Sequence, residues 1–209
     1  QFIKSRADLF DNFEVVSNPE FLREGKAVED SLNPDRIVIG VMLDKNGLLL
    51  EKPIAAMRGL YKNFQTNIVE TDIWSAELIK LASNAYLANQ ISFINKIAQL
   101  CTATGADVNE VAKGMKLDKR IGQYSFLNAG IGFGGSCFPK DIESLYNILM
   151  QEQINPELLK QTLEVNKAQK YHFLKMIEDG LWTIRDKKIA ALGLAFKPDT
   201  DDMREAPSI

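Results

Sequence analysis

The residues best suited to chemistry lie near the middle of the chain, in Gly132-Phe133-Gly134-Gly135-Ser136-Cys137-Phe138-Pro139-Lys140-Asp141. Gly134 and Gly135 bring no side chain to obstruct a ligand and reach backbone angles that other residues avoid. Pro139 suits the first turn of a helix, where its missing N–H costs nothing. Cys137 then faces the positive end of that helix dipole, which favours an anion such as a thiolate. Lys140 adds a cation three residues on, and Asp141 a carboxylate four residues on. The set describes an activated nucleophile with a proton-handling group beside it. The competing reading is a small buried hydrophobe, the common fate of a free cysteine. The flanking residues favour the nucleophile.

Three further segments put polar groups where a ligand could meet them. Lys80 and Asn84, four apart on a helical pattern, share one face one turn apart. Beside a substrate, such an ammonium and amide would steady an oxyanion; on a solvated stripe they would carry no chemistry. Asn18-Pro19-Glu20-Phe21-Leu22-Arg23-Glu24-Gly25 follows a predicted strand, and open α/β sheets bind ligands beyond the carboxyl ends of their strands. Its two carboxylates suit acid/base work or simple pairing with a helix dipole. Phe196-Lys197-Pro198-Asp199-Thr200-Asp201-Asp202-Met203-Arg204-Glu205 is either a polar surface loop or a site where Lys197 and Arg204 reach phosphates. Gly130, Gly132 and Gly135 spell G-x-G-x-x-G, yet they follow Ser125-Phe126-Leu127-Asn128-Ala129 and not an apolar strand. A dinucleotide fingerprint needs that strand and an acidic residue about twenty positions on, so the run is read as a decoy.

The elements that must position these groups fall into three stretches. Residues 1–70 read as α/β, with strands at Phe13-Glu14-Val15-Val16-Ser17 and Arg36-Ile37-Val38-Ile39-Gly40 bounded by Asn-Pro turns. Residues 52–63 carry a helical pattern, and Asn67-Ile68-Val69-Glu70 is a last edge strand. Thr71 or Asp72 then caps a helix that runs without Gly or Pro to about Thr104, with Gly105 as its stop. Leu78, Leu81, Ala82, Ala85, Ala88, Ile91, Ile94, Ile97 and Ala98 recur at three- and four-residue steps, giving a broad apolar face. At about 1.5 Å per residue the helix spans ~50 Å, a length that suits a homodimer seam or an internal bundle helix. Asp107-Val108-Asn109-Glu110 matches a capping box, and residues 140–153 and 157–179 read as two more helices. Lys188-Ile189-Ala190-Ala191-Leu192-Gly193-Leu194 reads as a buried parallel strand. The chain stops at Ile209 before a sheet could form around that strand, and Gln1 is an unusual start, so a longer protein is expected on both sides.

Composition narrows the classes. A chain of 209 residues with 45% hydrophobic and 25% charged residues is an ordinary soluble globular protein. A formal charge of −3 gives no basic footprint for nucleic acid, and no apolar run approaches the ~20 residues of a membrane helix. Two cysteines make no disulfide framework; Cys101 reads as core, and a reducing cytoplasm fits. The one histidine, His172, has no Cys/His cluster around it, so no zinc site is expected. A cysteine hydrolase with His172 as base would need that residue freed from its helical pattern between Tyr171 and Phe173.

Asn18 to Gly25, Lys80 to Asn84, Arg120-Ile121-Gly122, Phe126 to Asp141 and Phe196 to Arg204 together resemble, in order, the UDP-glucose/GDP-mannose family of nucleotide-sugar dehydrogenases. The resemblance implies an α/β remnant plus an all-helical central domain with a long dimerisation helix, and the first strand of a C-terminal Rossmann-like domain. Residues 1–70 would be the C-terminal part of an NAD-binding Rossmann domain, 71–180 the central dimerisation domain, and 181–209 the start of the UDP-binding domain. It further implies oxidation of a sugar C6 alcohol to a carboxylate with two NAD, with a UDP-sugar as substrate and a homodimer as assembly. GDP-mannose or a UDP-N-acetyl-hexosamine is the alternative substrate. Cys137 would trap the aldehyde as a thiohemiacetal and carry the thioester. Lys80 and Asn84 would stabilise oxyanions, Asp141 would orient or activate water, and Glu20 would be the acid/base residue for hydrolysis. Phe21, Leu22 and the loop from Asn128 through Phe133 to Gly134 would cradle the substrate, joined by Phe196 and Lys197. Arg120 would reach a neighbouring subunit's substrate, and Glu24, Cys137, Lys140 and Arg204 would touch the cofactor. The glycine-rich NAD loop is not in this sequence, so residues 1–209 by themselves are expected not to reduce NAD.

Overall fold

The computed structural model describes residues 14–209 and divides into two compact units, one ending at Lys80 and the other beginning at Leu81. The first holds β1 (Val16–Ser17), α1 (Ala27–Leu32), β2 (Arg36–Val41), α2 (Glu51–Tyr61) and β3 (Asn67–Asp72). The sheet order is β1-β2-β3; β2 runs antiparallel to β1 and parallel to β3, with Arg36 opposite Asn67 and Val41 opposite Asp72. Ile37, Ile39 and Val41 pack against Ile54 of α2, with Met57, Tyr61, Phe64 and Ile68 around them. Val38 points the other way and is also fully buried, which explains why this strand reads as a continuous apolar run and not an alternating one. β1 is shorter than its sequence pattern, pairing only Val16 with Val41 and Ser17 with Gly40. Asn18 ends it by turning its side chain inward, donating to the Val38 carbonyl at 2.7 Å and accepting from the Tyr61 hydroxyl at 2.6 Å. Phe13, the first residue of the predicted strand, lies outside the described residues.

The long helix α3 (Ile73–Thr104) starts and stops where its signals place it. The Asp72 carboxylate accepts from the Ser75 hydroxyl at 2.6 Å and the Ser75 N–H at 3.0 Å, and these bonds hold its carboxyl below the ordinary range. At the other end Gly105 takes φ +78°, and the Ala106 N–H closes on the Cys101 carbonyl at 3.0 Å. Apolar residues lie on more than one side of this helix. Ala85, Ala88, Ile94 and Cys101 are buried, whereas Trp74, Leu78, Tyr86, Phe93 and Leu100 are exposed and follow one another at steps of four, eight, seven and seven residues. Leu78 therefore belongs to an outer stripe, not to the packed face its spacing suggested.

In the second unit α3 is followed by α4 (Val108–Leu117), α5 (Phe138–Gln151) and α6 (Glu157–Leu181). Ala85, Ala88, Phe133, Ile142 and Leu159 form one core cluster, and Ile94, Ala112 and Leu127 another. Only half of the expected capping box forms: the Asp107 carboxylate accepts from the Asn109 N–H at 2.8 Å, while Glu110 turns to Lys113 at 3.2 Å. The expected strand at residues 188–194 is a correction. That stretch is irregular and exposed, with Leu192 94% accessible. No strand among the described residues pairs with it, and backbone groups without a ladder stay in water.

Candidate active site

In the first unit the segment after β1 folds back on itself around three charges. Lys80, in the second turn of α3, donates to the Glu20 carbonyl at 2.6 Å and to its carboxylate at 2.9 Å. The other carboxylate oxygen of Glu20 accepts from the Leu22 N–H at 2.6 Å. The Phe21 ring lies under the Arg36 guanidinium at 3.8 Å, with the Lys80 ammonium at 5.5 Å. Arg23 pairs with Asp30 of α1 through its backbone N–H at 2.8 Å and through its guanidinium, and this hydrogen bonding pushes the Asp30 carboxyl down to about 2. Leu22 is exposed and Glu24 half-buried. Sequence reading placed Glu20, Phe21 and Lys80 at a site, and the structure brings them together. It missed Arg36, whose only sequence signal is a cation at the start of an apolar strand.

In the second unit Cys137 is the residue just before α5, exposed, with Pro139 in the helix's first turn. Its carbonyl accepts from the Asp141 N–H at 2.9 Å. Asp141 is 6% exposed and accepts from the Asn84 amide at 2.6 Å, while the Lys140 ammonium sits at 3.6 Å on the solvent side. The buried-hydrophobe reading fits Cys101 and fails for Cys137.

The glycine pair before the thiol is pressed against the last loop of the chain. The Gly135 N–H donates to the Arg204 carbonyl at 2.8 Å. A Cβ on Gly135 would come within 2.8 Å of the Phe196 ring, and one on Gly134 would run into the Glu205 carbonyl. Glycine is required at both by close approach, and at Gly135 also by φ +78°. Phe133 is buried and its ring meets that of Phe138 edge-on, centroids 5.9 Å apart. Lys197 is half-buried, its ammonium 5.4 Å from the Phe196 ring centre. Arg204 is forked onto Asp202, with two contacts of 2.9 Å.

Asn128 and Arg120 are held locally. Asn128 accepts from Lys116 at 2.8 Å, and Arg120 pairs with Asp118 at 2.6 Å, a bond that keeps the Asp118 carboxyl below its usual range. The G-x-G-x-x-G run is an irregular loop leading into α5. Among the described residues there is no group of three His, Cys, Asp or Glu able to hold a metal, and no helix long and apolar enough to cross a membrane. His172 lies within α6, away from the residues that flank Cys137 in the sequence.

Comparison with known proteins identifies the family. Residues 1–65 match the NAD binding domain of the UDP-glucose/GDP-mannose dehydrogenase family, and residues 74–168 match its central domain. The chain is 52% identical over 195 residues to the UDP-glucose 6-dehydrogenase YwqF of Bacillus subtilis (strain 168), covering 93% of this chain and 42% of that protein. A solved UDP-glucose dehydrogenase from Pyrobaculum islandicum superposes with a TM-score of 0.86 at 40% identity, over 94% of this chain and 44% of that one. A UDP-D-ManNAc dehydrogenase from Pyrococcus horikoshii gives a TM-score of 0.78 at 25% identity, over 98% and 49%. The chain thus spans less than half the length of each of these relatives.

Proposed function

We propose, from the premise that this chain belongs to the UDP-glucose/GDP-mannose dehydrogenase family, that the enzyme it is part of oxidises UDP-glucose to UDP-glucuronate through an adduct on Cys137. The observation that carries this reading is the exposed thiol at the start of α5, with Asp141 buried one turn on and bonded to Asn84. UDP-glucose is preferred to other nucleotide sugars because the UDP-glucose relatives stand at 52% and 40% identity, against 25% for the UDP-D-ManNAc enzyme.

The reaction removes four electrons from C6 and adds one water. A bound NAD would supply the hydride acceptor for the two oxidations. Lys140 and Arg204 carry exposed side chains, cations suited to an anionic dinucleotide, and with Glu24 they are the residues that would hold it. At the aldehyde stage the Cys137 sulfur adds to C6, and oxidation of that thiohemiacetal leaves a thioester. In this reading the Asn84 amide, which also donates to Asp141, and the Lys80 ammonium stabilise the oxyanion that develops at C6. Water then attacks the thioester, its proton goes to Glu20, and the C–S bond breaks to release the carboxylate and return the thiol. Lys80, at 2.9 Å from Glu20, keeps that carboxylate oriented as base. Asp141 acts on Asn84 and on water near the thiol.

Phe21, Leu22, the loop from Asn128 to Gly134, Phe196 and Lys197 form the sugar-nucleotide cradle in this reading. Residues 1–70, 71–180 and 181–209 are assigned to the cofactor, central and nucleotide domains. The outer stripe of α3 from Trp74 to Leu100 is the homodimer seam, and Arg120, its side chain 89% exposed, reaches the partner's substrate. An unpaired exposed thiol suits a reducing cytoplasm. Absorbance of the full-length enzyme with NAD and UDP-glucose tests the reading. Two NADH per sugar are expected; no NADH, or faster turnover of another nucleotide sugar, overturns it. Charge placed on the stripe by Tyr86→Glu with Phe93→Glu is expected to give monomers in sedimentation.

A further inference from the structure

The loop that leads to Cys137 is held from behind by side-chain amides that take no part in the chemistry above. Asn166 of α6 closes both polar groups of Phe133: the Phe133 N–H donates to its Oδ1 at 2.7 Å, and its Nδ2 donates to the Phe133 carbonyl at 2.9 Å. Gly130 is gripped the same way by two residues. Its N–H donates to Asn95 of α3 at 2.8 Å, and its carbonyl accepts from Gln169 of α6 at 2.8 Å. Gln99 donates to Gln169 at 3.0 Å, which fixes the end of that amide facing the loop. A side-chain amide offers the same carbonyl and N–H as a peptide unit, so these residues do for the loop what a neighbouring strand would do.

The arrangement exceeds what packing of α3 on α6 requires. Asn95 is fully buried, and its Nδ2 has no hydrogen-bond partner, a cost that an apolar residue would avoid. What its carbonyl offers in return is the Gly130 contact. The Asn166 oxygen also fills the space a Cβ on Gly132 would need, at 2.5 Å. Glycine-rich backbone loses much freedom on ordering, and a loop of this composition stays in one shape only if something else fixes it. Phe133 then passes the constraint on, because its ring meets Phe138 on the far side of Cys137.

We propose that Asn95, Asn166 and Gln169 are positioning residues for the Cys137 thiol: by clamping the backbone of Gly130 and Phe133 they hold Cys137 in place at the first turn of α5. The proposal rests on the reading of Cys137 as nucleophile, and its main readout does not need turnover. Cys137 is already exposed at the residue before α5, so a loosened loop gains little access and loses the thiol's fixed position at that helix start, where the helix dipole favours the thiolate. Its reaction with an alkylating agent slows.

The same two helices supply a control. Asn89 donates to the Thr162 hydroxyl at 2.9 Å and Ser92 to the Thr162 carbonyl at 2.8 Å, contacts that do not touch the loop. In the full-length protein, alkylation of Cys137 by iodoacetamide is followed by mass spectrometry of its peptide, beside the thermal midpoint and the steady-state constants. Asn166→Ala and Gln169→Leu are expected to slow alkylation about fivefold and lower kcat about tenfold, with KM for NAD within about twofold. Thr162→Val is expected to lower the thermal midpoint comparably and leave both rates within about twofold of wild type. Asn166→Asp, which keeps the acceptor for the Phe133 N–H, is expected to fall between, and carries the test if Asn166→Ala does not fold. Alkylation unchanged in the Asn166 and Gln169 variants, or slowed equally by Thr162→Val, overturns the proposal. Slowed alkylation in a protein that oxidises no sugar would leave the proposal standing and overturn the function.

Discussion

The two regions that carry the candidate chemistry are held by different forces. Around Glu20 and Lys80 the fixing contacts are ion pairs and a cation over a ring, with Arg23, Arg36 and Lys80 as the cations. Around Cys137 ion pairs are also present, Lys140 on Asp141 and Arg204 on Asp202, but the contacts that touch the loop backbone itself are hydrogen bonds, close approaches of glycine and neutral amides, with a buried Asp141–Asn84 bond beside them. Exposed ion pairs contribute little each and rearrange readily when a ligand offers a better partner. Buried neutral contacts are insensitive to salt and set geometry in advance. The Cys137 loop is therefore the more firmly set of the two regions, and the Glu20–Lys80 contacts are the more adjustable.

The largest effect expected is that of Cys137→Ser in the full-length enzyme. Turnover to the acid falls on the order of 10³-fold or more, because a hydroxyl at its usual acidity is a poor nucleophile. UDP-glucose affinity by calorimetry stays within about threefold, the glycine loop being intact. Asp141→Ala comes next. It removes the partner of Asn84 in a buried place and is expected to lower kcat by about 10²-fold. Stability drops by about 1–3 kcal/mol for the orphaned amide, read from denaturant midpoints. Gly134→Ala drives a Cβ into the Glu205 carbonyl and costs about 1–3 kcal/mol, seen as a lower thermal midpoint. Arg36→Ala, which strips one cation from Phe21, costs below ~1 kcal/mol, and less still in high salt.

Acid separates the two regions with the smallest disturbance. The folded Asp30 carboxyl lies at about 2, below its ordinary value of 3.8, through its hydrogen bond with Arg23. A depressed carboxyl stabilises the fold above its unfolded value and loses that contribution as pH falls through the folded one. The Arg23–Asp30 clamp is thus complete above about pH 4 and gone near pH 2. Asn95, Asn166 and Gln169 do not titrate. Hydrogen exchange by peptide, corrected for intrinsic rates, is expected to show residues 20–30 opening over that interval while Gly130 and Phe133 stay protected. Simultaneous opening would erase the distinction.

What could be read in the sequence was local. Asp72 and Gly105 act within a turn of their own position, and both ends of α3 follow from them. The Cys137 loop was legible because glycine, proline and thiol stand side by side. The apolar run at 188–194 misled because strand formation depends on a neighbour, and an apolar run says nothing of whether one exists. Leu78 misled because α3 is apolar on two sides, so its spacing fitted either. The amide clamp was out of reach for another reason: Asn166 lies 33 residues from Phe133 and Gln169 lies 39 from Gly130. Polar residues on a helix look solvated until the loop they hold is folded against them.

The direct test of a covalent path through Cys137 is to stall its last step. In the full-length enzyme Glu20→Gln keeps the side chain's size and removes its capacity to accept a proton from water. With UDP-glucose and NAD, mass spectrometry of the quenched protein is expected to find the sugar acid linked to the Cys137 peptide, released by hydroxylamine, and absent when Cys137→Ser is added. An adduct on another residue, or full uronate production with no adduct on Cys137 and undiminished activity in Cys137→Ser, would contradict it.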